Sequence, residues 1–317
     1  MRRFTFETPQ GDMAALEFGN PADRLAAVWL HATGFNAMTY QSILAPLGLR
    51  TKVQAVDLRG HGRSTLPAVP RKMKSWKRHR DDMIAYLDRE SPTKPVVLGG
   101  HSMGATVALL VAGARPEKVA GLVLVDPVIM APEVYRAMHL YPMFLRRNAM
   151  SRQARRRRAE FGSQKEIVES YTGRGAFKTW REPFLNDYLI DGFDRVDGND
   201  PDSDDQSWKL LCTPKWESAI FAAQRNRPWG ALAKVKKHKI PISILRPERE
   251  SVLTDRVAAR LMRKCPQLEL KERANTTHFL PMEAPYDVRD QLSAFISTLI
   301  EGFAKDEHGP VKRSLRY

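Results

Sequence analysis

The stretch Val96-Val97-Leu98-Gly99-Gly100-His101-Ser102-Met103-Gly104-Ala105-Thr106-Val107-Ala108-Leu109-Leu110 constrains this chain more than any other. A β-branched run stops at glycines, one serine stands between Gly100 and Gly104, and an apolar run of helical character follows. In that strand–turn–helix setting G-x-S-x-G reads as a nucleophile elbow. The turn is so tight that the serine is held in a strained backbone conformation, and a side chain at either flanking glycine would collide with the next element. The serine oxygen then stands at the top of a sheet, and the first N–H groups of the following helix aim at the same spot. A glycine-rich turn with a capping serine satisfies the motif equally well; the flanking patterns favour the catalytic reading.

With 317 residues and 43% hydrophobic content, the chain suits one large domain with an insertion. Its formal charge of +15 and pI of about 9.9 suit nucleic acid, an anionic membrane surface, acidic substrates, or simply a basic protein. Cys212 and Cys265 have no metal-type spacing and imply no disulfide framework, which fits a reducing compartment. The first residues carry charge but no apolar core of a signal peptide, and no apolar run is long enough to span a bilayer. A cytoplasmic protein is expected.

Residues 3–8 and 13–18 alternate as strands around the turn Pro9-Gln10-Gly11-Asp12. Residues 25–30 are continuously apolar, as in a buried central strand. They end at His31-Ala32-Thr33-Gly34-Phe35-Asn36, a small loop whose backbone N–H groups can hold an anion. The strand 52–56 runs into Asp57-Leu58-Arg59-Gly60-His61-Gly62-Arg63-Ser64, read as a structural loop, with His61 set aside as a base. Residues 76–89 are helical, with Trp76, Met83, Ile84 and Leu87 inside. The strand 119–125 ends at Asp126-Pro127. Later come a strand at 241–245, a helix at 255–264, a strand at 267–271, a loop containing His278, and a closing helix at 286–300.

The His31–Phe35 loop, the Asp57–Ser64 loop, Gly100-His101-Ser102-Met103-Gly104, Leu122–Pro127 and Thr277-His278-Phe279 together resemble the α/β-hydrolase family. The resemblance covers residues 1 to about 127 and about 236 to 300. It departs at Ala32, where the family usually has glycine; alanine still leaves the backbone N–H free. The resemblance implies a mostly parallel twisted sheet with helices on both faces. It also implies a helical cap inserted after the sixth strand. The expected division is a core of 1–127 and 236–304, a cap of 128–235, and a flexible basic tail of 305–317. Within the cap, helices are expected over 132–143, 150–161, 165–171 and 218–226. Arg146, Arg147, Arg152, Arg155, Arg156, Arg157 and Arg158 form a basic block there. Glu182, Asp187, Asp191, Asp194, Asp197, Asp200, Asp202, Asp204 and Asp205 form an acidic one. Either the two face each other, or the basic block meets anionic membrane or substrate. Nucleic-acid binding is not expected, since no aromatic interleaving accompanies the arginines. Trp180, Phe184, Tyr188, Trp208, Trp216, Phe221 and Trp229 are read mostly as cap core, with a few lining an apolar pocket.

A serine hydroxyl needs a base. The family places that base after the last strand, which points to His278. The imidazole then needs a carboxylate between Ser102 and His278 in the chain. Glu250 is the first candidate, Asp126 the second and Glu248 the third. The oxyanion is expected on the backbone N–H groups of Met103 and of Thr33 or its neighbours. The expected reaction is hydrolysis of a carboxylic ester or thioester through an acyl-enzyme, with no metal or organic cofactor. Serine at the elbow argues against the dehalogenase and epoxide-hydrolase branches. The same residues could cleave a carbon–carbon bond, and a non-catalytic ligand-binding protein is the alternative from another class. Substrate and oligomeric state are left open.

Overall fold

Strands apolar at consecutive positions need cover on both faces, and a parallel sheet flanked by helices supplies it. The computed structural model, which describes residues 1–140, 148–196 and 207–307, has that arrangement. The hairpin β1 (Arg2–Thr8) and β2 (Gly11–Phe18) forms as expected. It is followed by β3 (Leu25–Leu30), β4 (Lys52–Val56), β5 (Val96–His101) and β6 (Val119–Val125). Then come the short strands β7 (Glu160–Phe161), β8 (Phe193–Arg195) and β9 (Trp208–Leu210), and last β10 (Ile242–Pro247) and β11 (Leu268–Arg273). The main sheet has eight strands in the order β1-β2-β4-β3-β5-β6-β10-β11. β2 runs antiparallel to both neighbours, and the six strands from β4 to β11 are parallel. Every residue of β3 and of β5 is buried.

The core divides into two apolar clusters, one on each face. The first gathers Met83 and Leu87 from the helix Lys77–Glu90, most of Met103–Ala114, Leu232 and Val235 from Pro228–Lys237, and Val257 and Leu261 from Asp255–Lys264. The second holds Trp29, Tyr40, Ile43 and, from the closing helix Pro285–Glu307, Val288, Leu292 and Ile296. Among the described residues no helix is long and apolar enough to cross a membrane.

The insertion after β6 differs in detail from its expected pattern. Helices form at Pro132–Leu140, Ala149–Arg155, Gln164–Tyr171, Phe184–Gly192 and Pro214–Ala222. The insertion is not wholly helical, because β7, β9 and β8 pair in an antiparallel sheet. Strands of two or three residues are too short to show alternation. The helix expected over 150–161 therefore stops at Arg155, and Phe161 lies in β7. Pro228–Lys237 had no expected counterpart. It packs on Met103–Ala114, where a Cβ on Gly113 would stand 2.5 Å from Ala231 Cα. Leu232 and Val235 of that helix join the apolar cluster on the first face of the sheet, although 228–235 was expected in the cap. The expected tail begins inside the closing helix, which runs to Glu307. Residues 141–143 of the first expected helix, Arg146, Arg147, Asp197, Asp200, Asp202, Asp204, Asp205 and 308–317 lie outside the described residues.

At the start of Met103–Ala114, a Cβ on Gly104 would run into the Leu30 carbonyl and stand 2.6 Å from that of His31. Gly104→Ala is expected to cost about 3 kcal/mol or more of folding stability, or to abolish soluble expression. Urea denaturation of the variant beside wild type measures this; a change below about 1 kcal/mol would refute the steric account.

Candidate active site

Ser102 leaves the end of β5 with φ 53° and ψ −114°, a conformation L-residues rarely adopt. Its N–H donates to the Val125 carbonyl at 2.9 Å, tying the turn to β6. A Cβ on Gly100 would lie 2.6 Å from the Gly104 carbonyl carbon, so the helix can fold back on the strand only over glycine. Ser102 Oγ stands 3.0 Å from His278 Nε2, and His278 Nδ1 stands 2.6 Å from Asp126 Oδ2. His278 sits in the loop after β11, and Thr277 anchors that loop through its N–H and hydroxyl to the Glu283 carboxylate at 2.6 and 2.7 Å.

The carboxylate beside His278 is that of Asp126, the second candidate, so the preference for Glu250 is corrected. After β10 the loop turns at Glu250, whose φ is 55° and whose side chain is exposed. The turn sends the next two residues back to Asp126: Ser251 Oγ donates to Oδ1 at 2.6 Å and the Val252 N–H to Oδ2 at 3.1 Å. The loop thus holds the Asp126 carboxylate, while its own Glu250 points away into solvent. Glu248, also exposed, accepts the Asn275 N–H at 2.7 Å. Burial pushes the Asp126 carboxyl up, but the bonds to His278, Ser251 and Val252 outweigh it and hold the group below its ordinary value. Sequence reasoning missed Ser251 and Val252, since a serine in a polar loop carries no signal of its long-range partner.

The loop after β3 is fixed from behind by buried histidines. The Leu58 N–H donates to His31 Nε2 at 2.9 Å, so His31 Nδ1–H donates to the Ala32 carbonyl at 2.7 Å. The Gly34 N–H donates to His61 Nε2 at 3.2 Å, and Nδ1–H of that ring donates to the Arg59 carbonyl at 3.1 Å. The Ala32 N–H donates to the Tyr40 hydroxyl at 3.2 Å, which donates to His101 Nδ1 at 2.8 Å. His101 Nε2–H then donates to the His278 carbonyl at 2.7 Å. This relay joins the β3 loop, the elbow and the His278 loop. Burial lowers His61 to about 4 and His101 to about 3, and it pushes His31 well below its ordinary value. These rings are neutral ties, with His61 in the structural place expected of it. The Thr33 N–H has no acceptor among the described residues, and the Met103 N–H, at the helix start, has none within the helix. Both are free for an oxyanion.

A cavity of about 310 Å³ opens over Ser102 and His278. From the insertion, Met150, Gln153 and Ala154 line it from one face of the helix Ala149–Arg155, and Arg157 joins them from just beyond its end. Phe35, Phe177, Phe221 and Phe279 supply apolar lining; of the insertion aromatics named from sequence, Phe221 is the one in this wall. Arg157 Nη1 donates to Glu217 Oε2 at 2.6 Å, and Nη2 to the hydroxyls of Tyr171 and Tyr188 at 2.8 and 3.3 Å. Arg158 pairs with Glu166 and stacks on Phe161. The described members of the expected acidic block turn elsewhere. Asp191 and Asp194 hold Arg3 and Arg63, and Asp187 accepts from Gln41 and Ser42. Arg157 and Arg158 and the acidic residues named here thus take separate partners. Cys212 and Cys265 are buried and free. Among the described residues, no group of three or more His, Cys, Asp or Glu is placed to hold a metal ion.

Residues 27–291 match the family model described as "Alpha/beta hydrolase family". Human monoglyceride lipase is 33% identical over 105 residues, covering 32% of this chain and 34% of that protein. A Mycobacterium tuberculosis lipase is 40% identical over 100 residues, covering 29% and 36%. The chain thus matches these curated relatives over about a third of their length. The crystal structure of E-2-(acetamidomethylene)succinate hydrolase superposes with a TM-score of 0.73 at 20% identity, covering 93% of this chain and 99% of that one.

His79 is fully buried beside His61 and Trp216, and neither ring nitrogen has a partner among the described residues. Burial lowers it to about 3. The unfolded chain therefore takes up a proton below pH 6.5 that the folded one refuses, and stability falls as pH drops from about 6.5 towards 3. Replacing the ring removes this loss. Between pH 7.5 and pH 5, His79→Phe is expected to gain about 2 kcal/mol on wild type, read from denaturation curves at both pH values. An equal difference at both would sink the assignment.

Proposed function

Since the chain belongs to the alpha/beta hydrolase family, we propose that it hydrolyses carboxylic esters or thioesters through a serine acyl-enzyme. The observation that carries this reading is the continuous chain from Ser102 Oγ through His278 to Asp126. In the proposed mechanism His278 Nε2 takes the Ser102 proton as the oxygen attacks the ester carbonyl. Asp126 keeps the proton on Nδ1 and stabilises the imidazolium that forms. The N–H groups of Met103 and Thr33 receive the oxyanion. His278 returns its proton to the leaving alcohol, then activates water to release the acid and free Ser102. The insertion acts as the cap that shapes the cavity, with core and cap dividing near 127 and 228. A cavity of about 310 Å³ favours small or short-chain esters. The lipase names of the relatives support the same bond type.

The test is labelling with an active-site fluorophosphonate beside turnover of p-nitrophenyl esters of increasing acyl length. Ser102→Ala is expected to abolish labelling and lower kcat by about 10⁴-fold or more. Asp126→Asn is expected to lower kcat by about 10³- to 10⁴-fold, because it leaves the imidazole in the wrong tautomer. Glu250→Gln should stay within about twofold of wild type. Labelling without ester turnover would point to a carbon–carbon bond substrate. Absence of labelling would promote the non-catalytic alternative.

A further inference from the structure

The charges lining the cavity do not balance among the described residues. Two arginines, Arg157 and Arg174, face one carboxylate, Glu217. Arg157 is committed: Glu217 and two tyrosine hydroxyls occupy its guanidinium. The side chain of Arg174 meets no acceptor and no counter-charge among the described residues. Its position keeps it available. Arg174 lies between Gly173 at φ 66° and Gly175 at φ 52°, and nothing stands within 4 Å of a Cβ built on either glycine. The turn is unpacked at the cavity rim, and its arginine is exposed. The helix Ala149–Arg155, which lines the same cavity, also carries exposed Arg152 and Arg155, with exposed Arg156 just beyond. The apolar wall of phenylalanines thus meets, at the turn 173–175, a guanidinium with no counter-charge among the described residues.

We infer that the substrate is an ester bearing an anionic oxyacid group, carboxylate or phosphate, on the part that lies against the turn 173–175, and that Arg174 selects for it. This rests on the reading of Ser102 as nucleophile and adds the charge of what Ser102 attacks. A guanidinium meets carboxylate and phosphate oxygens through paired N–H donors, so it discriminates a charged terminus from a methyl of equal length. The site is exposed, so the discrimination is modest and salt-sensitive, about five- to tenfold at low ionic strength.

The experiment uses two matched substrate pairs. The first is p-nitrophenyl hydrogen glutarate against p-nitrophenyl valerate; the second is 1-valerylglycerol 3-phosphate against 1-valerylglycerol. Wild type is expected to favour the anionic member of at least one pair by about fivefold or more in kcat/KM, and the larger ratio identifies carboxylate or phosphate. Arg174→Gln should bring that ratio close to one, Arg174→Lys should restore part of it, and 0.5 M salt should compress it. A ratio near one in wild type, or the same ratio in Arg174→Gln, overturns the inference. A binding measurement separates this failure from failure of the nucleophile reading. In Ser102→Ala protein, glutarate or glycerol 3-phosphate should raise Tm, and adding Arg174→Gln should remove the rise. Ser102-dependent turnover with no charge preference and no Tm rise sinks the anion site alone. A Tm rise that needs Arg174, without Ser102-dependent turnover, upholds the anion site and sinks the nucleophile.

Discussion

The contact on which the site depends is the close approach of the helix Met103–Ala114 to the ends of β3 and β5. Gly104 lies against the Leu30 and His31 carbonyls, and Gly100 against the Gly104 carbonyl. These approaches leave Ser102 nowhere to go but a left-handed backbone conformation, with its N–H tied to Val125. The strain is local, and the packing that sustains it is spread over the apolar cluster that gathers most of this helix on one face of the sheet. The same fold-back starts the helix at Met103, directly after Ser102, so one steric constraint fixes both the serine and the first N–H of the helix.

Around that turn, buried neutral histidines do the work of backbone ties. His31 and His61 each accept one N–H and donate to one carbonyl, and burial suppresses their protonation. His101, inside the serine motif, connects through Tyr40 to the β3 loop and through its other nitrogen to the His278 loop. Three loops of separate origin are therefore held to each other by hydrogen bonds as well as by the packing of Phe35 against His101 and Phe279. Such bonds are directional, and losing one leaves a buried polar group unpaired at a cost of about 1–3 kcal/mol.

The insertion brings its own polar centre to the cavity. Arg157, Glu217, Tyr171 and Tyr188 form a bonded group whose carboxylate presses on the β3 loop: a Cβ on Gly34 would stand 2.7 Å from Glu217 Oε1. Burial raises the Glu217 carboxyl while Arg157 opposes it. The pair anchors the insertion to the loop that carries the free Thr33 N–H.

Local patterns determined much of this protein. Apolar runs, turn glycines and the serine motif specified the parallel sheet and the elbow, because each is written in neighbouring residues. His278 was singled out by the family resemblance, and the structure puts it 3.0 Å from Ser102 Oγ. Glu250 against Asp126 was not decidable that way. Both carboxylates stand at strand ends, and only the turn at Glu250 decides that Ser251 and Val252 fold back on Asp126. The basic block likewise reads as one surface, yet Arg157 is drawn inward by Glu217 and two tyrosines while Arg155 and Arg156 stay in water. Long-range pairing of charges carries no period and no spacing along the chain. Tertiary structure alone settles it, because the partners meet only after the strands and helices have packed.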